Sequence, residues 1–171
     1  GGFQIGVRVH PTLVPLDHPL ASVRGSFNAV FVEGGAAGDL MFYGRGAGGR
    51  PTASAVLGDL IDAAGNLRQG HSASIGALER ARIAPIDDVT SAFYLNVEVD
   101  DRPGVLAQVA TVFGEHGVSI RSMEQEGLGG EARLVFITHA ARERDLRSTL
   151  QDLRSLDAVR SVGSVLRVIG D

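Results

Sequence analysis

The stretch from Asp100 to Leu106 carries residue types that could bind a small anion. Pro103 suits the first position of a helix, where its missing N–H is not needed, and Gly104 has no Cβ, so a ligand can approach its backbone closely. A helix that begins here has unpaired N–H groups and the positive end of its dipole, which together favour a carboxylate. The residues alone leave open whether this stretch is a binding site or only a tight turn, and one interpretation of Asp101 is a carboxylate that only caps the helix.

A second candidate is the glycine-rich stretch that begins at Gly44. Gly44, Gly46 and Gly49 satisfy the G-x-G-x-x-G spacing of dinucleotide-binding turns, after a predicted strand and before a predicted helix. The helix leads into Gly70 and His71 rather than into a second parallel strand, and the strand before the motif belongs to a hairpin. The motif by itself therefore favours a tight strand-to-helix turn over a self-contained cofactor site.

Composition narrows the chemistry that these stretches could support. All 16 basic residues are arginine, which excludes a lysine Schiff base, a P-loop lysine and a lysine general acid. The absence of cysteine excludes disulfides and thiolate zinc sites, and the histidines lie in different contexts, so no metal site is expected. The net charge of -4, without a basic run, argues against nucleic-acid binding. No apolar run is long enough to span a bilayer, and we expect a cytoplasmic protein without a membrane partner.

The residues after Ser91 must position Asp101, and their periodicity predicts a βαββαβ module. The first strand alternates strictly, with apolar side chains at Phe93, Leu95, Val97 and Val99. We predict the later elements at residues 103–116 (helix), 118–123 (strand), 132–138 (strand), 142–155 (helix) and 159–169 (strand), with a glycine turn at 125–130. This order is that of a ferredoxin-like, split βαβ sandwich.

The same periods predict which side chains the module buries. The two helices are expected to bury Leu106, Val109, Ala110 and Phe113 in the first, and Leu146, Leu150 and Leu153 in the second. Glu143 and Arg147, four residues apart, should pair on the exposed side of the second helix. The uncovered face of the sheet is predicted to be solvated or paired with a second copy, and it carries Asn96, Glu98, Ser119 and Arg121.

Residues 1–70 have the pattern of a small, mixed and largely antiparallel α/β piece. We predict strands at 4–10, 28–33 and 39–43, the last two joined as a hairpin, and a helix from Pro51 to about Leu67. So few elements bury little surface, which indicates the end of a larger domain whose beginning is missing. Residues 71–90, with Pro85 and an acidic pair, are expected to form a linker. The fold class is therefore α+β.

Several motifs in residues 1–70 resemble the late catalytic domain of homoserine dehydrogenases. They are Val9-His10-Pro11-Thr12-Leu13-Val14-Pro15, His18-Pro19-Leu20, Gly25-Ser26-Phe27-Asn28-Ala29-Val30, Tyr43-Gly44-Arg45-Gly46-Ala47-Gly48 and Pro51-Thr52-Ala53-Ser54-Ala55-Val56. The resemblance implies reduction of aspartate semialdehyde to homoserine with NADP or NAD, on the route to threonine, methionine and isoleucine. It also implies that Gly48 contacts the cofactor, with Gly46 and Ala47 as neighbours.

The same resemblance places the Rossmann domain and the catalytic lysines upstream of this chain. No catalytic residue is therefore assigned here, and the chain alone is expected to be inactive.

Residues 91–171 resemble an ACT domain, a regulatory module that binds amino acids between copies placed side by side. The resemblance rests on Asp101-Arg102-Pro103-Gly104-Val105-Leu106, followed by Gly117-Val118-Ser119-Ile120. It implies an effector site at Asp101, Gly104, Val105 and Ser119, threonine as the effector, and a homo-oligomer formed through ACT domains. Two hypotheses stay open at this point: a C-terminal part of a homoserine dehydrogenase, or a free-standing amino-acid sensor without catalytic activity.

Overall fold

The computed structural model describes residues 4–71, 78, 80–127 and 129–169, which form two compact units. The first unit joins Gly1–Pro15 to Ala81–Asp171, and the second is Leu16–Arg80. Residues 4–15 thus pack with the C-terminal half, whereas the sequence motifs grouped them with residues up to 70. The predicted domain boundaries at 70 and 91 remain a prediction. Of the predicted linker, residues 72–77 and 79 lie outside the described residues.

Ten strands and three α-helices are found among the described residues. In chain order they are β1 (Gln4–Ile5), β2 (Thr12–Leu13), β3 (Phe27–Gly34), β4 (Gly38–Arg45), α1 (Gly49–Gln69), β5 (Arg82–Ile83), β6 (Thr90–Asp100), α2 (Val105–Glu115), β7 (Ile120–Gly127), β8 (Glu131–Thr138), β9 (Ala141–Arg142), α3 (Glu143–Ser155) and β10 (Val159–Val168). Short 3-10 turns occupy Pro19–Ser22 and Ile86–Asp88.

The main sheet of the first unit has the strand order β2-β10-β6-β8-β7. The last four strands, with α2 and α3 as connections, form the split βαβ sandwich that the sequence predicts, and the α+β fold class is confirmed. The pairs β10–β6, β6–β8 and β7–β8 are antiparallel, whereas β2 adds to β10 in parallel. A further short strand, β9, pairs with β6. The sheet therefore contains two strands that the βαββαβ pattern does not predict, because β2 and β9 are only two residues long and are defined by their pairing.

The core lies between this sheet and its two helices. The predicted alternation in β6 is confirmed: Phe93, Leu95, Val97 and Val99 are at most 2% exposed. They pack with buried residues of β8 and both helices, and Phe113 of α2 meets Phe136 of β8 with ring centroids 5.0 Å apart. Burial of these side chains holds the start of α2, and with it Asp101, at the end of β6.

The buried face of α2 differs from the predicted one. Val109 and Phe113 are buried as expected, but Leu106 is 37% exposed and Ala110 is also exposed. The helix begins at Val105 rather than at residue 103, and Val105 itself is buried. The inward stripe therefore follows the spacing i, i+4, i+7, i+8 from Val105, which leaves Leu106 and Ala110 beside it on the open flank.

The inward face of α3 is as predicted, but the predicted Glu143–Arg147 pair is wrong. Leu146 and Leu153 are buried and Leu150 packs against the core. Glu143 instead accepts a hydrogen bond from Arg167 of β10 at 2.5 Å, while Arg147 pairs with Asp87 at 2.8 Å. Each side chain pairs with a residue from another element instead: Arg167 lies on the sheet, and Asp87 lies in the turn before β6. The spacing of residues along α3 cannot show these contacts.

The second unit contains a hairpin and a long helix. The strands β3 and β4 pair in register from Phe27 opposite Arg45 to Gly34 opposite Gly38, as predicted. Helix α1 extends two residues beyond the predicted span at each end and terminates at Gly70 in the left-handed conformation, φ 68°. Its apolar positions recur as predicted, yet they remain exposed; Val56, Leu57, Leu60 and Ile61 are all more than half exposed.

Two other predicted boundaries are wrong. The strand predicted at 4–10 is limited to Gln4–Ile5, because only these residues find a partner, in β5. The turn predicted from residue 125 begins later, since β7 continues to Gly127 opposite Ala132. Within the described part of the chain, no helix is long and apolar enough to cross a membrane.

Candidate effector site at the start of helix α2

The start of α2 is capped by Gly104, which has φ 89°. The Gly104 carbonyl accepts the first helical hydrogen bond from the Gln108 N–H at 3.1 Å. No side chain among the described residues bonds to this helix start, so Asp101 does not act as the capping carboxylate. The capping interpretation of Asp101 is therefore wrong, and its carboxylate is available for another partner.

Several backbone N–H groups at this end of α2 lack a protein acceptor in the part of the chain that the structure describes. Among the described residues, no acceptor is found for the N–H groups of Gly104, Leu106 and Ala107. Val105 donates only a long 3.4 Å bond to the Arg102 carbonyl. Unpaired N–H groups at the positive end of a helix dipole attract an anion such as a carboxylate.

A pocket of about 380 Å³ opens over this helix start. Residues 99–106 line one side, and Gln125 of β7 with Leu134 of β8 lines the other. Its volume falls in the range of about 300–1,000 Å³ that is common for small-molecule sites. The Oδ2 atom of Asp101 lies beside Gly127, where an added Cβ would be 3.6 Å from it. Asp101, Gly104 and Val105, three of the four predicted effector residues, thus share one pocket.

The neighbouring carboxylate, Asp100, is engaged elsewhere. Arg160 of β10 donates to its Oδ1 at 2.8 Å and also pairs with Glu131. The hydrogen bond to Asp100, followed by the charge of Glu131, raises the pKa of Arg160 above its ordinary value. Asp101 has no basic partner among the described residues. Of the two neighbouring carboxylates, Asp100 and Asp101, it is therefore Asp101 that could pair with the ammonium group of a ligand.

Ser119, the fourth predicted residue, lies far from this pocket within one chain. It precedes β7, and its carbonyl accepts a hydrogen bond from the His139 N–H at 2.8 Å. Gly127, at the other end of β7, is the residue next to Asp101. Eight strand residues separate the two ends, a distance of about 25 Å at the usual rise per residue. The structure therefore does not bring Ser119 and Asp101 together in one copy.

The glycine loop of the second unit forms a tight entry to α1. Gly48 caps the helix with φ 123°, and its carbonyl accepts a bond from the Thr52 N–H at 3.1 Å. A Cβ at Gly46 would overlap the side-chain amide of Asn28, so the loop backbone lies directly against β3. Gly46, Ala47 and Gly48 adjoin the helix start, as the sequence predicts. Asn28 is a contact that the sequence analysis missed, although its hairpin position opposite Gly44 would have indicated it.

The effector pocket is free of the usual metal-site features. Among the described residues, no group of three or more histidine, cysteine, aspartate or glutamate side chains could hold a metal ion. Recognition at the start of α2 would therefore use backbone N–H groups and the Asp101 carboxylate, which suits a zwitterion better than a cation alone.

The sheet order, the two helices on one face and the pocket at the start of α2 define an amino-acid-binding regulatory domain of the ACT class. Residues 93–158 match the family model for the ACT domain, and residues 2–61 match the model for homoserine dehydrogenase. The chain corresponds to the C-terminal region of homoserine dehydrogenases, with an ACT domain. Both resemblances noted in the sequence are thereby confirmed.

Individual relatives agree with this assignment along the whole chain. Homoserine dehydrogenase of Corynebacterium glutamicum is 48% identical, over 100% of this chain and 39% of its own. That of Mycobacterium tuberculosis is 47% identical, over 99% of this chain and 40% of its own. The crystal structure of the Thiobacillus denitrificans enzyme superposes with a TM-score of 0.86 at 33% identity, covering 95% of this chain and 38% of that one. The chain thus spans about 40% of the length of the curated relatives that it matches.

Proposed function

We propose that this chain supplies the end of the catalytic part and the threonine-binding regulatory domain of a homoserine dehydrogenase. The parent activity would be the NADP- or NAD-dependent reduction of aspartate semialdehyde to homoserine. The observation that carries the proposal is the pocket at Asp101 and Gly104, in a chain that aligns from end to end with homoserine dehydrogenases. The free-standing sensor is disfavoured, because the relatives align over residues 1–70 as well as over the ACT domain.

The pocket chemistry fits the common part of an amino acid. The carboxylate of threonine would accept hydrogen bonds from the N–H groups of Gly104 and Val105 and their neighbours at the helix start. Its ammonium group would pair with Asp101, which has no competing arginine among the described residues. Hydrogen bonds between ionised partners are stronger than neutral ones, so these two contacts would hold the zwitterion in one orientation.

The fourth residue, Ser119, can reach the pocket only from a second copy. Strand β7 is the last strand of its sheet, and among the described residues it pairs only with β8. A two-fold axis at this edge would place two β7 strands antiparallel, so that the Ser119 end of one copy meets the Gly127 end of the other. Leu106 and Ala110, exposed on α2, supply apolar surface on the helix-covered side for the same contact. We therefore assign the homo-oligomer contact to the ACT domains.

In the catalytic part, Gly46, Ala47 and Gly48 would approach the nicotinamide cofactor. The loop fits this role, because Gly48 has a backbone conformation that other residues rarely adopt and Gly46 has no space for a side chain. The cofactor would supply the hydride when bound, while this chain would contribute close backbone contact and N–H groups at the start of α1. No residue of this chain is assigned to proton transfer.

Titration calorimetry with threonine tests the effector site. The wild-type chain should release heat on binding, and Asp101→Ala should abolish it because the ammonium group loses its only carboxylate partner. Asp100→Asn is the matched control, since this neighbour is occupied by Arg160, and it should retain binding. Threonine binding that survives Asp101→Ala would show that the assigned site is wrong.

A mixing experiment tests whether Ser119 comes from the second copy. Alone, Asp101→Ala should not bind threonine, and Ser119→Ala should bind it only weakly. In a mixed dimer, one of the two pockets would combine the intact Asp101 of one chain with the intact Ser119 of the other, so binding should return at up to half of the wild-type stoichiometry. No recovery on mixing, with both variants folded and dimeric, would refute a site shared between copies.

A further inference from the structure

A second pocket of the first unit lies between α3 and β10, away from the start of α2. Its volume is about 190 Å³, and it shares no lining residue with the pocket at Asp101. Phe93 of β6 lines this pocket and Val99 lines the other, a separation of about 20 Å along the strand. Protein interiors leave few voids larger than a water molecule, so a space of this size between a helix and its sheet needs a cause.

The cause is a charged residue on the face of the sheet that the helices cover. Arg167 of β10 lies directly opposite Phe93, which is 1% exposed, so both side chains are on the same face. Val165, opposite Leu95, shares this face. The alternation of a core strand would place an apolar side chain at position 167. The guanidinium carbon of Arg167 lies there instead, 6.0 Å from the centre of the Phe93 ring.

Helix α3 contributes both apolar and charged side chains to the same pocket. Four of its residues line the pocket, at the spacing i, i+3, i+4, i+7 that puts side chains on one face of a helix: Glu143, Leu146, Arg147 and Leu150. Leu146 is 3% exposed and Leu150 packs against the core. Together with Phe93 they give the pocket an apolar floor, beside which the charged groups of Glu143 and Arg147 lie.

The charged groups at this pocket do not balance. Glu143 accepts a hydrogen bond from the Arg167 Nε at 2.5 Å, and Arg8 lies 3.7 Å from the same oxygen, so one carboxylate faces two guanidinium groups. Arg147 pairs with Asp87 at 2.8 Å. Three arginines and two carboxylates leave one positive charge, which one further carboxylate would neutralise. Each guanidinium has five N–H donors, more than these ion pairs engage.

We propose that this pocket binds a small aliphatic carboxylate, at a site separate from the effector site at the start of α2. The carboxylate accepts hydrogen bonds from the spare N–H groups of Arg147 and Arg167, and the tail lies against Phe93 and Leu150. An apolar cavity of about 150 Å³ holds benzene, so about 190 Å³ has room for a branched tail of about four carbons. The ligand needs no ammonium group, because arginines already neutralise Glu143.

Titration of the chain with isovalerate, followed by heteronuclear NMR of its amide signals, tests the proposal. The amide signals of Phe93, Val165 and Arg167 should shift together and saturate. The dissociation constant should be on the order of 1 mM, because so small a ligand makes few contacts. Isovaleramide has the same tail without the charge, and it should bind about tenfold more weakly.

Two arginines of α3 give a matched pair of variants. Arg147→Gln removes a proposed ligand contact and should weaken isovalerate binding about tenfold. Arg144→Gln is the control: Arg144 pairs with Asp88 at 2.7 Å and its side chain is 51% exposed, against 63% for Arg147, but it does not line the pocket. This control should bind isovalerate as the wild type does. Because both side chains are exposed, both variants should keep the NMR spectrum of the folded chain.

Leu150→Phe tests the position of the tail, because the larger ring fills the pocket and should prevent binding. Shifts that do not saturate, or that centre on other residues, would show that isovalerate does not bind here. Equal affinity for isovaleramide would overturn the assignment of a carboxylate. Equal binding by Arg147→Gln and Arg144→Gln, or unchanged binding by a folded Leu150→Phe, would show that these side chains do not form the site.

Discussion

Replacing Glu143 with glutamine should weaken the attachment of the N-terminal segment to the ACT sheet. Glu143 is only 11% exposed at its side chain, and its Oε1 accepts a hydrogen bond from the Arg167 Nε at 2.5 Å. Arg8, between β1 and β2, approaches the same oxygen at 3.7 Å and also donates to the Ser91 hydroxyl at 2.8 Å. One carboxylate therefore neutralises two arginines that come from different parts of the chain.

The expected loss follows from this geometry. A hydrogen bond to a charged group contributes about 1.5–3 kcal/mol, and loss of one partner from a fully buried ion pair costs about 3–5 kcal/mol. Since both arginine side chains are 22% exposed, water partly screens them, and the lower value applies. Glu143→Gln should therefore lower the free energy of unfolding by about 2 kcal/mol. Glutamine keeps the shape of the side chain, so the change reports the charge.

Urea denaturation followed by circular dichroism measures this loss, with Asp145→Asn as the matched control. Both acidic residues lie in the first turn of α3, where a negative charge interacts favourably with the helix dipole by about 0.3–1 kcal/mol. Asp145 has no ion-pair partner among the described residues, so its substitution should cost only that amount. If Glu143→Gln costs no more than Asp145→Asn, the Arg8–Glu143–Arg167 cluster does not hold the segment and the argument is refuted.

Two further predictions concern the second unit and the chain as a whole. Gly48→Ala should destabilise the second unit by about 1–2 kcal/mol, because the φ of 123° at Gly48 is unfavourable for alanine. Gly49→Ala is the control: this residue lies in the first turn of α1 with open space around it, so the change should be neutral or slightly stabilising. Equal effects of the two variants in thermal melts would show that the cap is not strained. The 171-residue chain should show no reduction of aspartate semialdehyde in a spectrophotometric assay with NADPH or NADH, because it contains no lysine to match the catalytic lysines that the family resemblance implies. Clear turnover would contradict the assignment of catalytic residues outside this chain.

The sequence predicts the regular elements of the ACT domain well, because their side-chain periods are local. The alternation from Phe93 to Val99 and the leucine stripe of α3 identify both the element and its buried face. Leu106 and Ala110 show the limit of this reasoning. A shift of the helix start by two residues rotates the inward stripe, and only packing against the sheet decides where the helix begins.

Contacts between distant parts of the chain could not be predicted in the same way. The strand β2 has two residues, too few for a periodic signal, and it exists because Arg167 and Val168 of β10 pair with it. The partner of Glu143 also comes from a distant part of the chain: it is Arg167 of β10. Arg147, which is nearer on α3, pairs with Asp87. Ser119 was grouped with Asp101 by motif, but the length of β7 separates them within one copy.

The two links between the units suggest how an effector signal could leave the ACT domain. The chain passes from the first unit to the second after Pro15 and returns at Ala81. Both links are held by short strands of the first unit: β2 pairs with β10 just before the first link, and β5 pairs with β1 just after the second. The cluster centred on Glu143 anchors Arg8, which lies between β1 and β2.

The effector pocket is lined by the end of β6, the start of α2, Gln125 of β7 and Leu134 of β8, whereas β2 is the edge strand beyond β10. A ligand in this pocket can influence the homoserine dehydrogenase segment only if it binds two states of the protein with different affinity. The β2–β10 pairing is the element whose two states, paired and released, would change the conformation of residues 12–15, at the end of this part of the first unit. Glu143→Gln should then shift that balance toward release without touching the pocket. The variant should bind threonine as the wild type does, while the N–H of Ile169, which bonds to the Leu13 carbonyl at 3.0 Å, exchanges faster with deuterium. Unchanged exchange at Ile169 in Glu143→Gln would show that the cluster does not control the β2 attachment.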